Sequence, residues 1–409
     1  MDKQIKRKIL FINSVCNGST GKICKDLYDI ATNEGYECCI AYGRGEAPNG
    51  YKTIKIGNEF DVYTHVAKTR LFDEHGFGSK RATTLFLKQV DLFKPDVIHL
   101  HNIHGYYINI ELLFDYLKQH SKIKVIWTLH DCWAFTGHCS HYLYQNCNKW
   151  LYQCCQCPMK KEYPKSIFID NSLKNYQRKK AIFNSTSNII IVAVSEWLKD
   201  QVQLSYLKTK KIHVIRSGID TNIYQYRKSD FRQKYEIEDK IIILGVANPW
   251  SNRKGLDDFI KLSTILDDKY KIILVGIDNK IKKTIPENIL GIYKTNNSIE
   301  LAELYSTADI FFNPTKEETF GLTNIEAQAC GTTVVSYNAG GTSETLINEN
   351  TYLINNIDEF ISLLEKKDVM LRKSIGNHKK FDKYVRLGKY IQLFNDITGG
   401  NNENTSNRS

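Results

Sequence analysis

Short apolar runs rich in β-branched residues recur along this chain, each followed by a polar turn and an amphipathic stretch, and no other feature constrains the fold as strongly. In the first half the runs are "KILFIN" (8–13), "YECCIAYG" (36–43), "DVIHLHN" (96–102), "KVIWTLH" (124–130) and "IIIVAVS" (189–195), with helical periodicity between them, as over 21–34 and 110–120. Nearly continuous apolar runs separated by helices predict a parallel sheet covered on both faces. After "KIHVIRSGID" (211–220) and the charged stretch "YRKSDFRQKYEIEDK" a second series begins: "IIILGVAN" (241–248), "KIILVGI" (271–277), "DIFFNPT" (309–315) and "TTVVSYN" (332–338). The pattern predicts an α/β chain of two doubly wound, Rossmann-like domains facing across a cleft, with ligand-binding loops at the C-terminal ends of the strands. A length of 409 residues, more than one hydrophobic core usually serves, agrees with two domains. We place the first at 1–215, with a Cys-rich insertion near 131–165, and the second at 216–390, its last helix returning to the first. The polar tail 398–409 reads as disordered.

Composition narrows the partners. Apolar residues make up 42% and charged residues 25%, as in globular proteins. No apolar run approaches the roughly 20 residues of a membrane helix, and "MDKQIKRKILFINS" has a basic start but no small-residue cleavage site after it. A cytoplasmic protein is expected. The net charge of +11 could serve nucleic acid, an anionic membrane surface or phosphorylated substrates. Scattered lysines without any RNA-binding or helix-turn-helix signature argue against nucleic acid. Weak association with an anionic membrane surface, at the inner face of the cell membrane, remains.

"CNGSTGKI" (16–23) stops short of an ATPase phosphate loop: Cys16 stands where the first Gly is needed, and Ile23 where a hydroxyl should bind magnesium. A Gly- and hydroxyl-rich turn survives, Gly18, Ser19 and Thr20, between a strand and a helix whose N–H groups attract anions. A simple tight turn is the alternative. In the second half, "EETFGLTNIEAQACG" (317–331) places Glu318 in a loop after a strand and Glu326 eight residues on, in a helix starting near Gly321. Leu322, Thr323 and Glu326 share one face of that helix. "NRKGLDDF" puts Arg253 and Lys254 after another strand, at the same sheet edge. Two cations and a helix start suit a diphosphate and need no metal.

These residues resemble the family 4 retaining glycosyltransferases, whose hallmark is two acidic residues separated by seven positions, here Glu318 and Glu326. "FINSVCNGSTG", "TLHD", "VAVSEWL", "VIRSGID", "NRKG", "LYSTADIFFNPT" and "AQACGTTVVSYNAGGTSE" carry the same resemblance in the family's order, to about residue 390. Through "WTLHDCWAFTGHC" the chain is most similar to bacterial enzymes of capsule, exopolysaccharide and O-antigen synthesis. The resemblance implies a glycosyltransferase-B architecture, a UDP- or GDP-sugar donor, a lipid-linked or saccharide acceptor, and no cofactor for catalysis. It implies that Arg253 and Lys254 neutralise the donor diphosphate, that Glu326 accepts from ribose hydroxyls, and that Glu318 holds sugar hydroxyls beside the backbone of Phe320, Gly321, Leu322 and Thr323. It also implies that His130 lines the sugar pocket and that Gly18, Ser19 and Thr20 approach the phosphates or the acceptor. One departure stands out: many members carry Arg where this chain has Asn248. A nucleotide-sugar epimerase of the same fold, or a catalytically inactive nucleotide-sugar-binding subunit, is the alternative.

"HLHNIHGYY" offers His101 and His104 as acceptor-side candidates, with His99 assigned to core packing. Cys139, Cys147, Cys154 and Cys157 form a set of four thiols in a polar, aromatic-rich insertion and suit a structural zinc; buried free thiols are the alternative.

Overall fold

The computed structural model describes residues 6–366 and 378–399, so the expected disordered tail lies, beyond Gly399, outside the described residues. The chain divides into two compact units, one formed by Met1–Ile215 and the residues from Leu387 onward, the other by Arg216–Arg386.

The first unit carries strands β1 (Lys8–Val15), β2 (Glu37–Arg44), β3 (Thr53–Lys55), β4 (Val97–Leu100), β5 (Lys124–Leu129), β6 (Ile189–Ala193) and β7 (Lys211–Val214). All pair in parallel, in the order β3-β2-β1-β4-β5-β6-β7. Leu10 stands opposite Cys39 on one side and Ile98 on the other. Both faces of the central strands are buried, which is why their sequences lack polar alternation. One core holds Ile9, Phe11, Leu27, Val97, Ile126 and Val192, completed by Leu387, Tyr390 and Phe394 of helix Lys383–Thr398. A fully buried side chain such as Phe394 stabilises the fold by about 1.5–3 kcal/mol.

The second unit repeats the scheme with β8 (Ile241–Val246), β9 (Tyr270–Val275), β10 (Ile289–Ile292), β11 (Ile310–Asn313), β12 (Thr333–Tyr337) and β13 (Thr351–Ile354), all parallel in the order β10-β9-β8-β11-β12-β13. Its core joins Ile243, Phe259, Leu274, Phe312, Val335 and Phe360.

Every apolar run predicted as a strand is one. The four strands without a predicted run, β3, β7, β10 and β13, are the four sheet edges. Each has only three or four residues and is only partly buried, so neither length nor apolar continuity marks it. The helix expected over 21–34 begins earlier, as Gly18–Asn33. Among the described residues no helix is long and apolar enough to cross a membrane.

Candidate active site

In each sheet the strand order reverses between two neighbours, β1 and β4 in the first and β8 and β11 in the second, and the loops leaving such neighbours diverge to open a crevice. In the second unit those loops carry Arg253, Lys254 and Glu318. The loop after β8 closes in a single 3-10 turn, Asn252–Lys254, and ends at Gly255 with φ +79°. A Cβ on Gly255 would lie 2.4 Å from Pro314 Cγ and 2.6 Å from the Pro314 carbonyl oxygen, so only glycine lets this turn rest against the loop after β11. The Lys316 N–H donates to the Arg253 carbonyl at 2.9 Å, fastening the two loops a second time. Held this way, Lys254 Nζ sits 2.7 Å from Glu318 Oε2, with the side chains 24% and 23% exposed. Lys316 itself is taken by Asp257 and Asp258, at 2.9 and 3.4 Å.

Beyond Glu318 the chain passes the buried Phe320, turns at Gly321 (φ +97°) and enters helix Leu322–Ala329, where the Asn324 N–H donates to the Gly321 carbonyl at 3.2 Å and the N–H groups of Leu322 and Thr323 precede the helical ladder. The buried Asn324 aims this helix: its side chain accepts from Asn313 Nδ2 at 2.8 Å and donates to Ser336 Oγ at 3.2 Å and Thr345 Oγ1 at 3.0 Å. The Gly341 N–H donates to the Glu318 carbonyl at 3.0 Å, tying the turn after β12 to the same corner. The structure thus brings Arg253, Lys254, Glu318, Phe320, Gly321, Leu322 and Thr323 onto adjoining loop ends of one sheet. Glu326 lies one turn into the helix and accepts from the buried Tyr305 hydroxyl at 3.1 Å. Burial and the Glu326 charge raise the Tyr305 phenol well above its usual value, so it stays a donor.

In the first unit Gly18 has φ +73° at the start of helix Gly18–Asn33, and Gly18 and Ser19 are exposed. Thr20 has a structural partner: Asn13 Nδ2 donates to its Oγ1 at 3.2 Å and to the Val15 carbonyl at 2.9 Å. After β4 and β5 come the histidines. His99 is fully buried, its Nε2 2.8 Å from Thr128 Oγ1. His101 and His130 stack with ring centroids 5.3 Å apart, and their Nδ1 and Nε2 lie 3.0 Å apart. Burial pushes the His130 imidazole down to about 4 although Asp131 opposes it, and His101 falls well below its ordinary value for the same reason. Both are neutral near pH 7, so one ring donates to the other.

His104 bridges two groups that sequence reasoning missed. Its Nε2 is 2.9 Å from Asp131 Oδ2, and its Nδ1 is 3.1 Å from the Tyr163 hydroxyl. Burial disfavours the Asp131 charge, yet the pull of His104 and the hydrogen bonds from His104 and the Trp133 N–H bring its carboxyl down to about 2. His104 thus stands between the Asp131 carboxylate and the Tyr163 hydroxyl, within 2.9 Å of one and 3.1 Å of the other. Asp131 follows His130 directly in "TLHD" and was open to notice; Tyr163 is 59 residues from His104 and has no local signal.

The zinc expectation finds no ligand set: among the described residues no group of three or more His, Cys, Asp or Glu side chains is arranged to hold a metal ion. Cys139, Cys147, Cys154 and Cys157 line one small cavity as free thiols. Cys139 and Cys157 hydrogen-bond, which brings the Cys157 thiol down to about 7, while Cys154 Sγ accepts the Gly137 N–H at 3.2 Å.

Comparison with known proteins matches this division of the chain. The family described as Glycosyltransferase Family 4 matches residues 24–223, and that described as Glycosyl transferases group 1 matches residues 227–386. A colanic acid biosynthesis glycosyl transferase of Escherichia coli, WcaC, is 25% identical over 219 residues, covering 50% of this chain and 53% of its own. The N,N'-diacetylbacillosaminyl-diphospho-undecaprenol alpha-1,3-N-acetylgalactosaminyltransferase of Campylobacter jejuni is 27% identical over 212 residues, 47% of this chain and 56% of its own. The chain thus spans about half the length of these curated relatives. Among solved structures, Anabaena HepE in complex with UDP and glucose superposes with a TM-score of 0.64 at 14% identity, covering 95% of this chain and 99% of that one. With one family matched over the first parallel sheet, the other over the second, and the glycosyltransferase-B fold beneath both, the chain belongs to the family 4 glycosyltransferases.

Proposed function

We propose that this protein is a retaining glycosyltransferase that moves a sugar from a nucleoside-diphosphate donor to a lipid-linked or saccharide acceptor in bacterial surface polysaccharide synthesis. The observation that carries the reading is the Lys254–Glu318 contact at 2.7 Å, beside a helix start at the strand-order reversal of the second sheet. Breaking an anomeric bond builds positive charge on the sugar and negative charge on the departing diphosphate. Fixed cations and N–H dipoles aimed at the departing oxygen stabilise that separation more than they stabilise the bound donor. Arg253 and Lys254 take the diphosphate, the first turn at Leu322 and Thr323 adds N–H donors, and Glu326 accepts from the ribose. Glu318 orients Lys254 and the sugar hydroxyls and is not a nucleophile. The departing phosphate oxygen takes the acceptor proton on the same face, so configuration is retained.

In the first unit, the family resemblance assigns His130 to the sugar pocket, and the His104–Tyr163 pair is assigned to the acceptor. UDP is the favoured nucleotide because HepE carries it on the same fold, and a diphospho-polyprenol acceptor is favoured by the name of the Campylobacter relative. Such an acceptor places the enzyme at the cytoplasmic membrane surface. No relative named above is an epimerase.

The test is a panel of UDP-, GDP- and dTDP-sugars screened for thermal stabilisation, since a ligand bound only by the folded state raises its melting temperature. The stabilising donor is then incubated with diphospho-polyprenol sugars and the product's anomeric configuration read by NMR. Stabilisation by a UDP-sugar and a retained anomer are expected; an inverted product, or no stabilisation by any donor, refutes the reading.

A further inference from the structure

Helix Glu59–Phe72 buries the wrong residues. Its inward positions are His65 and Thr69, while Phe60, Tyr63, Leu71 and Phe72 are 74, 69, 40 and 48% exposed. At 100° per residue Phe60, Tyr63 and Leu71 fall within one outward stripe, with Lys68 on its flank. A surface helix normally turns such a stripe inward, and large apolar clusters left outside mark a site of interaction. A second segment continues the surface. The Ile167 N–H donates to the Arg70 carbonyl at 2.8 Å and Asn171 Nδ2 donates to the Phe72 carbonyl at 2.7 Å, so the loop is fastened along the last turn of the helix. That loop exposes Ile167 at 50% and Phe168 at 69%.

The charge around the patch selects its occupant. Lys68, Lys161, Lys165 and Lys174 are exposed on these two segments and the chain flanking them, against two exposed acids, Glu59 and Glu162. Asp170 accepts from the Cys157 and Ser172 N–H groups, and Asp61, between Phe60 and Tyr63, is engaged in the capping box with Asn58. Aromatic and aliphatic tips with an excess of lysines around them match the boundary between acyl chains and anionic headgroups, where apolar burial and electrostatic attraction add.

We propose that the outward face of helix Glu59–Phe72 and the adjoining 167–169 loop dock the protein on an anionic lipid bilayer. This sharpens the membrane placement proposed above, but its test requires no turnover. The full chain is floated with phosphatidylcholine vesicles with and without phosphatidylglycerol, at low and high salt, and light scattering follows its oligomeric state. Wild type is expected to bind the anionic vesicles and to lose binding at high salt. The triple variant F60S/Y63S/F168S should bind about tenfold or more weakly, and K161E/K165E should weaken binding to anionic vesicles by about tenfold while its melt is unchanged. If the serine variant loses its cooperative melt, the charge variant decides. Wild type that ignores anionic vesicles, variants that bind like wild type, or a dimer dissolved by the serine substitutions would each overturn the proposal, the last assigning the face to a second copy. Vesicle binding without sugar transfer would sink the transferase reading and leave this one standing.

Discussion

Lys254→Ala separates chemistry from stability at this corner. Lys254 Nζ and Glu318 Oε2 are 2.7 Å apart with side chains about a quarter exposed, 24% and 23%. A pair that water reaches contributes at most about 1 kcal/mol to folding, which in a unit of this size moves the melting temperature by about 2–4 °C. A fixed cation facing a departing oxygen in a shielded site contributes far more, about 3–4 kcal/mol, or roughly a hundred- to a thousandfold in kcat. The variant should therefore lose at least about a hundredfold in kcat while its melt shifts by only about 2–4 °C. Glu318→Gln keeps the shape and removes the charge. If Glu318 acts through Lys254, its cost should shrink toward zero in the Lys254→Ala background, a coupling energy that a double-mutant cycle reads directly. UDP release under saturating donor and a fluorescence melt supply both numbers. A kcat within about threefold of wild type would refute the assignment of Lys254 to the leaving group, and additive losses in the double variant would refute the action of Glu318 through Lys254.

Other positions give independent checks. Gly255→Ala meets Pro314 at 2.4 Å and forces a side chain into φ +79°, so the turn must move and transfer should fall with Lys254 displaced; unchanged turnover would mean the turn is not held in place by this contact. At Gly18 a Cβ meets nothing within 4 Å but the backbone has φ +73°, so Gly18→Val should cost about 1–2 kcal/mol of stability and impair transfer more than folding, read from kcat and urea melts. Tyr163→Phe should raise the acceptor KM about tenfold and leave donor hydrolysis intact, because only the oxygen assigned to the acceptor is lost; a donor-side defect would count against the assignment. Acid should weaken the first unit. Burial pushes His65 and His99 down to about 3 and His130 to about 4, against about 6.5 when unfolded. The unfolded chain then binds more protons between about pH 6.5 and 4, so stability falls as pH drops, by about 1.4 kcal/mol per unit for each histidine. His138, raised by Asp73 against the effect of burial, works the opposite way. Urea unfolding at pH 7.5 and 5.5, compared between wild type and His65→Asn, measures the slope.

The central strands and the second-unit corner were legible because both obey local rules. A strand buried on both faces must be apolar throughout, and the loop proposed to offset a diphosphate carries its two cations side by side, as Arg253 and Lys254. Edge strands escape the first rule: "TIK" and "KIHV" face solvent on one side and need no apolar continuity. The His104 relay escapes the second, since Asp131 and Tyr163 reach it through loops folded back over the sheet. Thr20 carries a contact that the sequence does not show: in the fold Asn13 donates to its hydroxyl. For the cysteines, spacing suggests a shared ligand, while in the fold Cys139 and Cys157 hydrogen-bond to each other and Cys154 accepts from a backbone N–H.

The contact between Gly255 and Pro314 also limits how relatives of this chain can diverge. Adding one residue between Asn248 and Gly255 would displace the downstream backbone by one Cα step, about 3.8 Å, a shift larger than the whole 2.7 Å separation of Lys254 from Glu318. Exchanging a side chain at the same corner moves no backbone at all. A change of sugar preference is thus accessible by substitution but closed to insertion or deletion, and related chains with different donors are expected to keep the distance from β8 to this glycine fixed while the residues between them vary.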